Sequence, residues 1–335
     1  MVIGPEPVAG DTTTLVAEET TAPPGAAKAI EGRSLWRIAW IRLKRDKIAL
    51  AGGVVVIFLI LGAVFAPFIV ALLGHPPNEF HQNLIDINLG TPIGKFGGIS
   101  KDFLFGLEPG SGRDLFSRIV YGSRISLLIA FLATAMSMVI GTVMGVISGY
   151  FGGWIDAFIG RLMDVFLAFP LLLFSLALVG VIPDRAFGLS GVSLRIAMLV
   201  FIIGFFSWPY IGRIIRGQTL SLREREFVDA ARSLGARGPY IVVRELLPNL
   251  VAPILIYTTL LIPTNILFEA ALSFLGVGIP APTASWGAML TEASHGLYQV
   301  DPFYMIFPGL AIFVTVLAFN LFGDGLRDAL DPRAR

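Results

Sequence analysis

Cysteine is absent from all 335 residues, which removes disulfide frameworks, thiol nucleophiles and zinc–thiolate sites together. Histidine is nearly absent. His75, His81 and His295 fall in predicted loops far apart in sequence, and read as solvated side chains rather than metal ligands. Charge is scarce as well: 15% of the residues carry it, against about 25% in soluble domains. Apolar residues fill the gap, at 55% of the chain with a mean hydropathy of +0.77, so this chain belongs in lipid. Catalytic signatures are missing too. Gly90-Thr91-Pro92-Ile93-Gly94-Lys95 imitates a phosphate loop, but its glycines stand one residue too close and Phe96 replaces the required Ser or Thr. Gly276-Val277-Gly278 with Ala281 imitates part of a dinucleotide fingerprint, yet follows a membrane helix rather than a strand. Both are rejected. No enzyme activity, bound cofactor or metal site is expected, and any ATP used must be bound and hydrolysed by another polypeptide.

A spanning helix needs about 20 apolar residues at about 1.5 Å each. Six stretches qualify: Ile48–Leu73, Ile125–Tyr150, Ala157–Ile182, Ile196–Ile215, Leu250–Leu275 and Phe303–Phe322. The expected fold is therefore an all-α integral membrane protein with six transmembrane helices and both termini on one side. Pro170, Pro209, Pro253, Pro263 and Pro308 lie inside these stretches, which a bundle tolerates where neighbours re-satisfy the backbone. With the N-terminus inside, 18 of the 25 Lys and Arg fall on that side, so the positive-inside rule makes both termini cytoplasmic.

Outside the spans, residues 1–32 are rich in Ala, Thr, Pro and Glu and read as a disordered cytoplasmic tail rather than a signal peptide. A basic segment over 33–47 carries Trp36 and Trp40. Its place before the first span, 48–73, favours an interfacial helix over a nucleic-acid site. Extracytoplasmic loops over 74–121 and about 276–302 are longer than a simple connection needs. A docking surface for a partner and a cover over the bundle are equal readings of them. Residues 324–335 form a short cytoplasmic tail.

Ionisable residues inside a membrane are costly and often functional. Asp164 stands three residues after Arg161, and a structural pair on one helix face is favoured over a substrate contact. Glu269 either lines a pathway or bonds to a neighbouring helix. Gly141, Gly145 and Gly149 repeat every fourth residue and read as a packing ridge.

One polar island interrupts the apolar pattern: DAARSLGARGPYIVVRELLP, Asp229 to Pro248. Arg223 to Leu234 has helical propensity, and Ala230 and Ala231 permit close approach. Gly235 can take a positive φ and end that helix. Gly238-Pro239 extends the break, Tyr240 to Leu247 forms a second helical stretch, and Pro248 can start the next span. Two short helices bent around a glycine, rich in Arg, suit an acidic cytoplasmic partner.

At these residues the chain resembles the permease subunits of binding-protein-dependent ABC importers. Their pattern is Glu-Ala-Ala, three residues, Gly, nine residues, then Ile-x-Leu-Pro. Here Asp229-Ala230-Ala231 leads through Gly235 to Glu245-Leu246-Leu247-Pro248, with Asp229 in place of Glu and Glu245 in place of Ile. The runs Gly112–Leu127, Ala271–Gly278, Pro282–Leu290 and Phe307–Arg333 look like the C-type subunit of the dipeptide and oligopeptide branch. Leu107-Glu108-Pro109 departs from that branch's Gly-Thr-Asp. The resemblance covers roughly 34–335 and implies a type I importer fold, with a transmembrane domain over 122–323 and a coupling segment over 223–248. Glu226, Asp229, Ala230, Ala231, Gly235, Glu245, Leu247 and Pro248 would then meet the ATPase. It further implies a homologous second permease, two cytoplasmic ABC ATPases that bind ATP and Mg, and an extracytoplasmic substrate-binding protein in a bacterial cytoplasmic membrane. A nickel or other small-solute permease is the nearer rival. A secondary transporter driven by an ion gradient is remote, because no internal repeat is evident, and a scaffold without transport is remote as well.

Overall fold

A capping carboxylate divides the basic segment from the first span. Asp46 accepts the amides of Ile48 and Ala49 through Oδ1 (2.9 and 3.0 Å), ending the connection from α1 (Leu35–Leu43) and opening α2 (Lys47–Val64). The computed structural model describes residues 35–330 except 182 and 184. The tail expected over 1–32 and residues 331–335 lie outside the described residues. The expected first span, 48–73, is broken. Pro67 has no amide and its ring opposes the carbonyl four residues back, so the chain bends at Phe65 and resumes as α3 (Ala66–Leu73).

The other spans follow in order: α4 (Leu115–Phe151), the pair α5 (Gly153–Ala168) and α6 (Leu171–Val181), then α7 (Gly191–Arg223). A two-residue hairpin, β1 (Arg185–Ala186) with β2 (Leu189–Ser190), joins α6 to α7. Beyond α7 come α8 (Glu226–Ser233), α9 (Gly238–Tyr240) and α10 (Leu247–Leu272). Short α11 (Trp286–Glu292) and α12 (Tyr298–Val300) then lead to α13 (Phe303–Leu330). Among the described residues five helices are long and apolar enough to cross a membrane, and the α5–α6 pair, bent by 78°, brings the number to six if it is counted as one broken span. The bend falls at Phe169-Pro170, inside the stretch expected to be one span, at the proline noted there.

Two boundaries move outward from the expected positions. α4 begins at Leu115 because Asp114 caps it, accepting the Phe116 amide (3.1 Å); the preceding loop therefore ends before the expected 121. α13 continues to Leu330, so most of the expected tail from 324 is helical. At 37 residues, α4 is about 55 Å long and outruns a hydrocarbon core of about 30 Å.

The bundle is built on α4 against α7. Gly141, Gly145 and Gly149 form the expected ridge: a Cβ on Gly145 would lie 2.6 Å from the Gly212 carbonyl oxygen, and one on Gly141 2.7 Å from the Ile211 Cβ. These glycines let the two backbones touch, which in lipid replaces the missing hydrophobic drive. Around this pair pack α2, α10 and α13. Ala39 and Leu43 of α1 close on Ala329 of α13, so the two ends of the described chain meet at one end of the bundle. The long loops occupy the other end.

Candidate functional site

The polar island folds as an elbow at the end of the bundle opposite the long loops. Gly235 takes φ +81° and closes α8 with two bonds, from the Ala236 amide to the Ala231 carbonyl (3.0 Å) and from the Gly235 amide to the Arg232 carbonyl (2.9 Å). This pairing is a Schellman cap, in which only glycine meets the left-handed position without a Cβ penalty. The expectation for Gly235 holds in full. The helix before it is shorter than expected, since α7 runs to Arg223 and α8 starts afresh at Glu226.

The second arm also differs. Rather than a separate helix ending at Pro248, the helical path continues without a break from Gly238 to the end of α10 at Leu272. Pro248 has no amide to give and its ring crowds the Arg244 carbonyl. The turn over Ile241–Leu246 widens into a π-helix that absorbs this misfit, and the Asn249 side chain donates to the Glu245 carbonyl (2.7 Å).

Val228 on α8 is fully buried against Ile241 and Leu246, with Ala231 and Tyr150 beside them. The elbow is thereby packed onto the ends of α4 and α10. Arg223 donates to the last carbonyls of α4, Gly149 (3.2 Å) and Tyr150 (3.3 Å), where a cation also suits the helix dipole. On the outside, Glu226, Asp229, Ala230, Gly235 and Pro248 are exposed, while Ala231, Glu245 and Leu247 are half-buried. Asp229 pairs with Arg232 (3.2 Å). Leu234 projects with 89% of its surface exposed. Between the arms lies a groove of about 620 Å³ lined by Ala230, Leu234, Arg237, Tyr240 and Glu245. Among the described residues the Glu245 carboxylate has no ion-pair partner. An elbow with an apolar tip at Leu234 and with Arg237 and Glu245 in its groove can seat a complementary protein surface.

Above the elbow, two Arg–Asp pairs tie α5 to α7. Arg216 grips Asp156 with two nitrogens (2.6 Å for Nη2 to Oδ2), and Ser148 donates to the same carboxylate. Asp164 is bonded to Arg213, whereas the expected partner, Arg161, stands 3.9 Å away. Asp164 thus bonds across helices to Arg213, with Arg161 one turn away on α5 as a longer second partner.

Comparison with known proteins settles the family. The family model for binding-protein-dependent transport system inner membrane components matches residues 141–335. That for the N-terminal transmembrane domain of oligopeptide transport permease C matches residues 34–90. The chain is 38% identical to the dipeptide transport system permease protein DppC of Alkalihalophilus pseudofirmus over 302 residues, 90% of this chain and 91% of that one. Against the glutathione transport system permease protein GsiD of Escherichia coli it is 40% identical over 303 residues, 90% and 92% of the two chains. This chain belongs to that family of transport permeases. The permease also shares its fold with the inward-facing methionine ABC transporter MetNI, at a TM-score of 0.53 and 19% identity over 65% of this chain and 98% of the other.

At the loop end of the permease lies Glu269. It is fully buried and accepts the hydroxyls of Ser126 (3.0 Å), Ser273 (2.9 Å) and Ser285 (3.1 Å). Ser126 in turn accepts the Trp286 amide (3.2 Å). Glu269 therefore bonds to neighbouring elements, joining α4, α10 and the segment before α11.

Sequence reasoning missed a second buried network there. Arg118 and Glu108 pair with side chains 0% and 1% exposed. Arg113 joins Glu108 and reaches Glu292 (3.2 Å), and the Tyr304 hydroxyl donates to Glu292 (2.7 Å). Arg118 also donates to the Pro282 carbonyl (3.0 Å). These contacts fold the two long loops down onto α4 and α13. His75 and His81 are part of this packing rather than solvated: their rings are 5.2 Å apart and both lie against Phe103.

Asp301 supplies a pH test of this packing. Its Oδ1 accepts the Phe303 amide (3.0 Å), while its Oδ2 is buried with no hydrogen-bond partner among the described residues. Burial pushes this carboxyl above its ordinary value, against the pull of that amide. A raised folded pKa gives stability that is full below the unfolded pKa and lost as pH rises through the folded one. Asp301→Asn keeps a good cap and removes the charge. Thermal melting of the purified variant is expected to match or exceed the parent at pH 7, with less loss between pH 4 and 7. A lower, more pH-sensitive midpoint would count against a buried charge here.

Proposed function

We propose that this chain is the membrane-spanning subunit of an importer for di- or oligopeptides, working by alternating access in a bacterial cytoplasmic membrane with both termini cytoplasmic. The observation that carries the reading is the elbow. It is a short helix fixed by a glycine cap, packed onto the ends of α4 and α10, with an exposed outer face. In this reading 223–248 seats on a cytoplasmic ABC ATPase. Glu226, Asp229, Ala230, Gly235 and Pro248 lie at or near the contact, and Ala231, Glu245 and Leu247 shape the groove behind it. Two such ATPases bind ATP and Mg and hydrolyse the nucleotide. A homologous permease completes the pathway, and an extracytoplasmic substrate-binding protein delivers cargo to the loop end. Closure of the ATPase dimer would push on α8, and the buried Val228 contact would pass that push to the bundle.

The peptide assignment is supported by the two relatives, whose names specify dipeptide and glutathione transport. Asp164, bonded to Arg213, and Glu269, held by three Ser hydroxyls, act as struts in this reading rather than cargo ligands. Uptake of labelled di- and oligopeptides, compared with nickel, in cells with and without the gene tests it. Peptide uptake is expected to fall to background with nickel uptake unchanged. Loss of nickel uptake alone would move the assignment to the small-solute branch.

A further inference from the structure

On the flank of the bundle between α2 and α4, near the long loops, lies a groove of about 690 Å³, a size typical of small-molecule sites. Its walls are mostly apolar, with Ile60 and Val64 from α2 and Leu128 and Phe131 from α4, while Asn78 and Thr283 add polar groups from the loops. Val64 is 62% exposed and Leu128 44%, as lipid-facing side chains are. Arg124 stands at the mouth, where the apolar run of α4 begins at Ile125.

That arginine differs from its neighbours. Arg113 and Arg118, nearer the start of α4, are neutralised by Glu108 and Glu292. Arg124 meets only the Tyr121 ring, 5.8 Å away, and has no carboxylate partner among the described residues. Arg124, Leu128 and Phe131 lie at i, i+4 and i+7, so one helix face presents a cation first and then an apolar strip one and two turns deeper. A cation at the headgroup level above an apolar trough complements an amphiphile with an anionic head.

We propose that this groove holds one phospholipid, its phosphate on Arg124 and an acyl chain along Leu128 and Phe131, with anionic headgroups preferred. A peptide is a poorer occupant, because its amine would need an acidic partner and the lining contains no Asp or Glu. The site is separate from the elbow and does not depend on the transported solute.

The test is native mass spectrometry of the purified full-length chain given equal amounts of phosphatidylglycerol and phosphatidylcholine. The parent is expected to retain one tightly held lipid, predominantly phosphatidylglycerol. Arg124→Gln should lower that preference roughly fivefold, the factor one basic residue gives at an anionic surface. Leu128→Trp, which fills the groove from an exposed position, should release both lipids without changing the melting midpoint. Equal retention of the two lipids by the parent, or undiminished binding by Leu128→Trp, overturns the proposal. So does efficient cross-linking of a single cysteine, Leu128→Cys, to the second permease in the assembled transporter, which would assign the groove to a protein interface.

Discussion

Replacing Gly235 with Pro is expected to stop uptake while the subunit remains in the membrane. The native φ of +81° lies far from the value near −65° that a proline ring imposes, and proline also removes the amide that bonds the Arg232 carbonyl. Misplaced proline costs roughly 3 kcal/mol or more, and here it falls on one Schellman cap rather than on the bundle. The change therefore acts on the angle between α8 and the helical path that starts at Gly238. Ala231→Arg attacks the same joint from its packed side, since Ala231 lies against the Val228–Ile241–Leu246 cluster. In proteoliposomes holding the full transporter, both variants should hydrolyse ATP without accumulating substrate, with uptake down more than about tenfold, as a shift of only about 1.4 kcal/mol in the coupled equilibrium would give. Normal uptake by either variant would falsify the coupling role.

The distinction between local and long-range information explains what the sequence revealed. Gly235 was legible because a helix end requiring left-handed backbone is a property of adjacent residues. The ridge of Gly141, Gly145 and Gly149 was legible for the same reason, its spacing being fixed by the helix itself. The π-turn before Pro248 was not, because a proline at that point allows either a fresh helix or a widened one. The choice depends on α10 being held in line by its neighbours. Likewise Pro170 marked a defect in the third span, but the 78° bend depends on how α5 packs on α4 and α7 while α6 packs on α7 and α10.

The charged residues divide in the same way. Arg216 was counted among the cations that orient the chain, and nothing near it in sequence pointed to Asp156, 60 positions away. Glu108, Arg113 and Arg118 looked like ordinary loop charges, which are usually solvated. Their partners Glu292 and Tyr304 lie more than 170 positions downstream. One sequence signal was available: Arg118 sits among apolar residues in Leu115–Val120, so a helix there would carry a cation on its buried face. The structure supplies the anion that makes this burial tolerable.

That burial leads to the largest stability effect expected in the permease. Arg118→Ala removes the cation from a pair whose side chains are 0% and 1% exposed, leaving Glu108 with Arg113 alone. Breaking a buried pair from one side costs about 3–5 kcal/mol when the remaining charge is left uncompensated, and Arg113 beside Glu108 holds the loss to the lower part of that range. The purified variant should melt well below the parent, the loss centring on the packed loops. Burial already pushes the Glu108 carboxyl upward against the pull of Arg118 and Arg113, so removing Arg118 raises it further. The sign follows from linkage: a carboxyl raised in the folded state favours folding most when protonated, below its unfolded pKa. The deficit of Arg118→Ala should therefore be greatest at neutral pH and shrink on acidification towards pH 5. The double change Arg118→Met with Glu108→Leu removes both charges, while Arg113 keeps Glu292 at 3.2 Å. It should recover most of the stability lost by the single variant, since contacting residues are not additive. If Arg118→Ala instead melts with the parent at every pH, the loops are held by shape alone and the ion pair contributes nothing to them.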